Sequence, residues 1–200
     1  MPECGGNAGF PRRFRSNRII VDTSMKADRI LQAALALMLI AFCGALYNQL
    51  HVTVVNAGDK APDFTITTDS DKTVTVHDFG GKLLLLNFWA TWCAPCVEEI
   101  PGLNQLSQTL GPKGLVILGV SVDKDETLYR KFLARSPLAY LTARDPEEKI
   151  NPNYGTFLYP ESYLIDRSGK VIEKFISSQP WDSPQMIEHL SRCLNGNCAS

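Results

Sequence analysis

The sequence predicts an α/β fold: a central mixed sheet flanked by helices, with an N-terminal β-hairpin extension, all preceded by one transmembrane helix. Three observations predict it. Two continuous apolar runs, Leu83–Phe88 and Leu115–Val122, have the length of strands buried on both faces of a sheet. Amphipathic segments of helical spacing alternate with those runs, and a hairpin and a last helix close the chain, the pattern of a layered α/β core. Ahead of them stands Ile30–Tyr47, eighteen residues whose one polar interruption is Gln32.

At about 1.5 Å per helical residue that run reaches roughly 27 Å, close to the thickness of a bilayer's hydrocarbon core. A buried core helix would show a polar face, and none is present. The run exceeds a typical signal-peptide core and no small-x-small site follows it at Gln49, Leu50 and His51, so an uncleaved anchor over residues 30–50 is expected. Cys43 suits a lipoprotein site poorly, because bulky Phe42 precedes it; it is read as a small apolar filler. Residues 1–29 carry six Lys/Arg (Arg12, Arg13, Arg15, Arg18, Lys26 and Arg29) against three Asp/Glu, a balance of +3. The positive-inside rule then makes 1–29 a cytoplasmic basic tail and turns everything after residue 50 outward. Met25 could itself begin such an anchor, which leaves residues 1–24 as a disordered tail or a matter of start-codon choice.

Residues 51–60 read as a linker and 61–200 as the globular domain. Phe64–Thr68 alternates like a strand, Asp69–Lys72 forms a turn, and Thr73–Val76 is its hairpin partner. Gly80-Gly81 breaks the chain before the Leu83–Phe88 strand. Cys96–Leu110 has helical spacing, with Ile100, Leu103, Leu106 and Leu110 on one stripe and Pro101 as a kink. After Leu115–Val122 a helix over Glu126–Ser136 is expected to turn Leu128, Phe132 and Leu133 inward. The acidic run Asp145–Glu148 reads as a solvated loop leading into a helical turn. Ser162–Asp166 and Lys170–Ile176 form a hairpin around Arg167-Ser168-Gly169, and Ser183-Pro184 starts a final helix with Met186, Ile187, Leu190 and Leu194 on its apolar face. The expected order is β-β-β-α-β-α-β-β-α. The whole chain has 44% apolar and 20% charged residues, enough for a packed core, and its net charge of −1 with no dense basic patch argues against a nucleic-acid partner.

The chemistry concentrates in Trp92-Cys93-Ala94-Pro95-Cys96. Two cysteines separated by two residues can cycle between dithiol and disulfide on one scaffold. Cys93 falls where the strand ending at Phe88 gives way to a helix, so its sulfur meets the unpaired N–H groups and the positive end of the helix dipole. A thiol so placed has its pKa lowered from about 8.5 into the range of roughly 3.5–7.5, which makes Cys93 the attacking sulfur and Cys96 the resolving one. A structural disulfide, half of a zinc site, or two incidental core cysteines are the competing readings of a bare CxxC. The strand-to-helix placement, with Trp92 and Pro95 around the pair, favours the redox role.

The run Asn87–Cys96 followed by Glu98-Glu99-Ile100-Pro101, with Val120-Ser121-Val122-Asp123 and Tyr159-Pro160-Glu161-Ser162-Tyr163-Leu164-Ile165-Asp166 downstream, resembles the TlpA/ResA-like family of membrane-anchored thioredoxins. The last motif is especially similar to the cytochrome c biogenesis branch, and the resemblance spans residues 58–192. It implies a thioredoxin fold and a thiol–disulfide oxidoreductase without a cofactor, held in the bacterial inner membrane with its domain in the periplasm. It implies that Pro160 is the cis-proline beside the active disulfide and that Glu99, on the helix after the cysteines, is an acid that tunes the thiols. Asn87 stands where ordinary thioredoxins carry a buried aspartate. Trp92, Pro95 and Tyr159 would line the substrate groove, Tyr159 being bulkier than the residue the family usually has there. The resemblance also implies a membrane thiol reductase as electron donor and a disulfide-bearing exported protein, such as apocytochrome c, as substrate.

Cys193 and Cys198 flank Leu-Asn-Gly-Asn, and a disulfide between them would stabilise the last helix by about 2 kcal/mol. A second redox centre or free thiols are the alternatives there. His51, His77 and His189 lie far apart and none shows ligand spacing, so no metal site is expected. Two other activities use related folds. A thiol peroxidase usually has threonine three residues before its cysteine, where this chain has Ala90; a copper or haem chaperone uses a wider cysteine spacing and a distal histidine.

Overall fold

The computed structural model describes residues 17–50 and 54–198, with side chains for 28–47 and 54–198. The start of the expected basic tail, with Arg12, Arg13 and Arg15, lies outside the described residues, as does His51 of the expected linker. The chain divides into two compact units, Met1–His51 and Val52–Ser200.

The described residues of the first unit form one helix, α1 (Asn17–Leu50), which begins thirteen residues before the expected span. Within it Asp28–Tyr47 is long and apolar enough to cross a membrane, and none of that stretch is buried by protein.

In the second unit β1 (Thr65–Thr67) and β2 (Thr73–Thr75) pair antiparallel as a separate hairpin, with Ile66 opposite Val74. A five-stranded sheet is built from β3 (Leu83–Trp89), β4 (Leu115–Ser121), β5 (Leu141–Arg144), β6 (Glu161–Ile165) and β7 (Val171–Ile176), in the order β5-β4-β3-β6-β7. The β3–β4 and β4–β5 pairs are parallel and the β3–β6 and β6–β7 pairs antiparallel, so the sheet is mixed. Every residue of β3 is buried, as expected for the central strand of such a sheet.

Alternation along β3 sorts the core into two layers. Leu84, Leu86 and Phe88 face one side, where Phe64, Ile66, Val76 and Phe79 of the N-terminal extension pack with Tyr154 and Tyr163. Leu83 and Leu85 face the other, against Leu103, Leu106 and Leu110 of α2 (Ala94–Leu110) and Leu190 and Leu194 of α5 (Pro184–Leu194). The predicted α2 stripe is therefore the buried one, and the helix runs through Pro101 without ending.

Three expectations are corrected. Between α3 (Glu126–Arg135) and β6 the chain forms β5, which the β-β-β-α-β-α-β-β-α order lacked; the helical turn expected after the acidic run is the short helix α4 (Asn151–Tyr154). On α3 Phe132 and Leu133 pack on the core as expected, but the fully buried side chain is Tyr129, while Leu128 is 59% exposed. Tyr129 wins that place because its ring packs near Trp89 and its hydroxyl donates to Asp69 Oδ2 at 2.5 Å. Finally, Asp145 is buried rather than solvated, and its carboxylate accepts the backbone N–H of Ile150 to start α4.

Candidate active site

Cys93 and Cys96 are joined by a disulfide at the start of α2. Cys93 is the N-cap residue, in extended backbone, and Pro95 falls in the first turn, where its missing N–H forfeits no helical bond. The N–H of Val97 donates to the Cys93 carbonyl at 3.1 Å, and the first turn holds no acidic side chain, so nothing there offsets the positive end of the helix. Cys93 and Cys96 are both buried, in a cluster with Trp89, Ala90, Ile100, Val122 and Tyr129.

The turn that presents Cys93 is anchored from β4. Asp123, itself buried, accepts the Thr91 backbone N–H at 2.8 Å, the Thr91 hydroxyl at 2.6 Å and the Ser121 hydroxyl at 2.6 Å. In the sequence Asp123 stood only as the end of a motif; its anchoring work depends on β3 and β4 lying side by side, which no local spacing reveals.

The Tyr159–Pro160 peptide bond is cis. The Tyr159 ring packs against the cluster that contains both cysteines and meets Trp92 edge-on, with ring centroids 6.0 Å apart. Its hydroxyl accepts a hydrogen bond from Asn151 Nδ2 at 3.0 Å, and burial pushes its pKa up to about 12. Trp92 is 66% exposed, and Phe157 and Leu158 just upstream are exposed too. Pro95 is exposed and Pro160 buried.

Glu99 lies one turn beyond Cys96 and is only 4% exposed. Asn87 sits on the same side of β3 as Leu83 and Leu85, facing α2, and its Nδ2 donates to Glu99 Oε1 at 2.9 Å and to Ser162 Oγ at 3.0 Å. The other carboxylate oxygen accepts Trp181 Nε1 at 2.9 Å and the Gln179 backbone N–H at 3.3 Å. Burial raises the Glu99 pKa above its ordinary value of 4.5, and these donors only partly oppose it. Trp181 is 82 residues away in sequence, and nothing in the sequence singled it out. Neighbouring Glu98 is exposed.

The second pair, Cys193 and Cys198, is also disulfide-bonded, at the end of α5. His77 is on the surface opposite Asp63, whereas His189 lies one helical turn before Cys193, its Nε2 4.0 Å from the Cys193 sulfur. The absence of ligand spacing read from the sequence does not hold for His189: together with Cys193 and Cys198 it forms a group whose donor atoms all lie within 4.8 Å of one another.

The AhpC/TSA family model matches residues 57–174. A thiol-disulfide oxidoreductase ResA of Bacillus cereus is 34% identical over 78% of this chain and 92% of its own length. The thioredoxin-like protein YneN of Bacillus subtilis is 33% identical over 70% of this chain and 85% of its own. Among solved structures, one assigned as a thiol:disulfide interchange protein DsbE from Chlorobium tepidum superposes with a TM-score of 0.63 at 32% identity, covering 74% of this chain and all of that one. The chain thus belongs to the AhpC/TSA family, alongside the ResA thiol-disulfide oxidoreductases.

Proposed function

We infer that this chain is a membrane-tethered thiol–disulfide oxidoreductase whose domain faces the periplasm and reduces disulfides in exported proteins such as apocytochrome c. The observation that carries the reading is the Cys93–Cys96 disulfide at the N-terminus of α2, with Tyr159, which precedes the cis bond to Pro160, packed against the cluster that holds it. The names of the relatives and the apolar Asp28–Tyr47 helix support it.

In the reductive direction the Cys93 thiolate attacks one sulfur of the substrate disulfide. The substrate's other sulfur leaves as a thiolate, and a mixed disulfide joins Cys93 to the substrate. The Cys96 thiolate then attacks Cys93, which releases the second substrate thiol and restores the Cys93–Cys96 bond. Two electrons pass in each cycle, and a membrane thiol reductase returns them. The helix terminus holds Cys93 as the anion before its attack; in the resolution Cys93 is the sulfur attacked, and the anion that leaves is the substrate's. Glu99 is the candidate proton acceptor for the Cys96 thiol. Its raised pKa makes its carboxylate a stronger base than that of a solvated glutamate. Trp92, Pro95 and Tyr159 line the groove, and the backbone of Tyr159, just before the cis bond, offers hydrogen bonds to an extended substrate segment; the Pro160 carbonyl is already taken by the Ser177 N–H.

Periplasmic orientation rests on the basic residues before the apolar span and on the anchor being retained. The peroxidase reading draws on the AhpC/TSA match, but Ala90 has no hydroxyl to offer, and the Thr91 hydroxyl is engaged by Asp123.

The test is insulin-disulfide reduction by the full chain in detergent. Cys93→Ser is expected to abolish turnover, and Cys96→Ser to accumulate the mixed disulfide; unimpaired turnover by Cys93→Ser would end this reading. A reduction potential near −120 mV, that of the strongest disulfide oxidants, would reverse the assigned direction.

A further inference from the structure

The end of α5 holds more than a staple. His189 and Cys193 are four residues apart on one helix face, and the turn at Asn195-Gly196 brings Cys198 back to them. That turn is closed by Gly196 N–H donating to the Cys193 carbonyl and Asn197 N–H to the Arg192 carbonyl, each at 3.0 Å. From β7, Glu173 Oε2 reaches His189 Nε2 at 2.6 Å. A disulfide that only fastened the helix would need neither an imidazole 4.0 Å from its sulfur nor a carboxylate on that imidazole.

We propose that, once the Cys193–Cys198 disulfide is reduced, Cys193, Cys198 and His189 bind a thiophilic divalent cation of the zinc class, with Glu173, whose Oε2 touches His189 Nε2, as a fourth donor once that contact opens. Tetrahedral zinc with Zn–S near 2.3 Å and Zn–N near 2.0 Å sets its nitrogen and sulfur ligands about 3.5 Å apart. The observed 4.0 Å between His189 Nε2 and Cys193 Sγ is within a small adjustment of that. The two sulfurs must separate to roughly 3.8 Å by the same geometry. Exposed residues Asn195–Asn197 give the loop room to do so. Cys198 is the more accessible sulfur and Cys193 is buried.

The step balances as a thiol–disulfide exchange followed by ligation. An external dithiol attacks Cys198, Cys193 leaves as a thiolate beside His189, and the reductant's second thiol completes its own disulfide as Cys198 departs. Two electrons move from the dithiol to the pair. The cation then takes the place of the thiol protons, so the site exists in the reduced state alone. The end of α5 would alternate between a covalent clasp and a metal clasp, independently of the reaction at Cys93.

The experiment uses the full chain in detergent with Cys4, Cys43, Cys93 and Cys96 replaced by serine, so that Cys193 and Cys198 are its remaining thiols. After reduction by a dithiol and its removal, cobalt(II) is titrated as the probe. One equivalent should bind with thiolate-to-cobalt charge-transfer absorption, and the oxidised protein should show none. In the same background His189→Ala, which leaves both cysteines in place, should weaken binding at least tenfold. Bound zinc should also slow maleimide alkylation of the two thiols. Reduced protein without charge transfer, unchanged affinity in His189→Ala, or alkylation indifferent to zinc would each overturn the proposal.

Discussion

Glu99 puts an ionisable group where water is scarce, and the consequences can be worked out with sign. Burial raises its pKa above 4.5 against the opposing pull of Trp181, Asn87 and Gln179. The folded state therefore holds the proton more tightly than the unfolded chain does. The associated stability is complete below 4.5 and is lost as pH rises through the raised folded value. Urea midpoints of the oxidised protein should fall across that window, and Glu99→Gln should remove the fall; parallel pH profiles for the two proteins would refute it. Trp181→Phe removes the Nε1–H that Oε2 accepts at 2.9 Å, and should destabilise the domain by about 1–3 kcal/mol. Because that donor lowers the pKa, its loss should also move the Glu99 window to higher pH. Little of this was legible in the chain. Glu99 could be singled out through the resemblance around Cys93, and Asn87 as an amide in an aspartate's place. Their meeting with Trp181 depends on α2, β3 and the segment before α5 converging.

At the scale of elements, what could be read was whatever carries its own pattern. The run Leu83–Phe88 has no polar gap except Asn87, and the stripe Ile100, Leu103, Leu106 and Leu110 repeats at helical spacing; both are buried as anticipated. Leu106→Ala, fully buried beneath the sheet, should lower unfolding free energy by about 2–5 kcal/mol in urea titration. A strand such as β5 gives no such signal. Leu141-Thr142-Ala143-Arg144 is short and mixed in polarity, and it becomes a strand because β4 offers it a parallel edge. The helical turn of α4 was legible after the acidic run, but the burial of Asp145, which accepts the Ile150 N–H ahead of that helix, was not. In α3 the sequence placed Leu128 inward by hydrophobicity alone, and the hydroxyl of Tyr129 found Asp69 and Thr142 instead. The α3 start itself is local: the Asp125 carboxylate accepts the Leu128 N–H at 3.0 Å. Asp125→Ala should therefore cost about 1 kcal/mol, measurable in the same titration.

For the molecule as a whole, the division at His51/Val52 sets the expectation for truncation. The apolar residues of α1 between 28 and 47 are exposed, and the core of the second unit is drawn from residues after 54. The full chain should sediment with membranes and require detergent. A chain starting at Val52 should remain soluble and retain insulin-disulfide reduction. A truncated chain that aggregates, or a full chain recovered without detergent, would contradict this. The length and uniformity of Ile30–Tyr47 made the division visible in the sequence. The helix's earlier start at Asn17 was not, since the charged residues Arg18, Asp22, Lys26, Asp28 and Arg29 precede the apolar run that drew attention.

The three tryptophans make the domain its own optical probe. Trp89 and Trp181 are 1% exposed, while Trp92, beside the disulfide, is 66% exposed. Iodide, which stays in water, should therefore quench one emitter out of three, the one at the reaction centre. Any protein that covers that centre should shield Trp92 from iodide, so docking can be followed with unlabelled components and timed apart from the exchange of sulfur bonds.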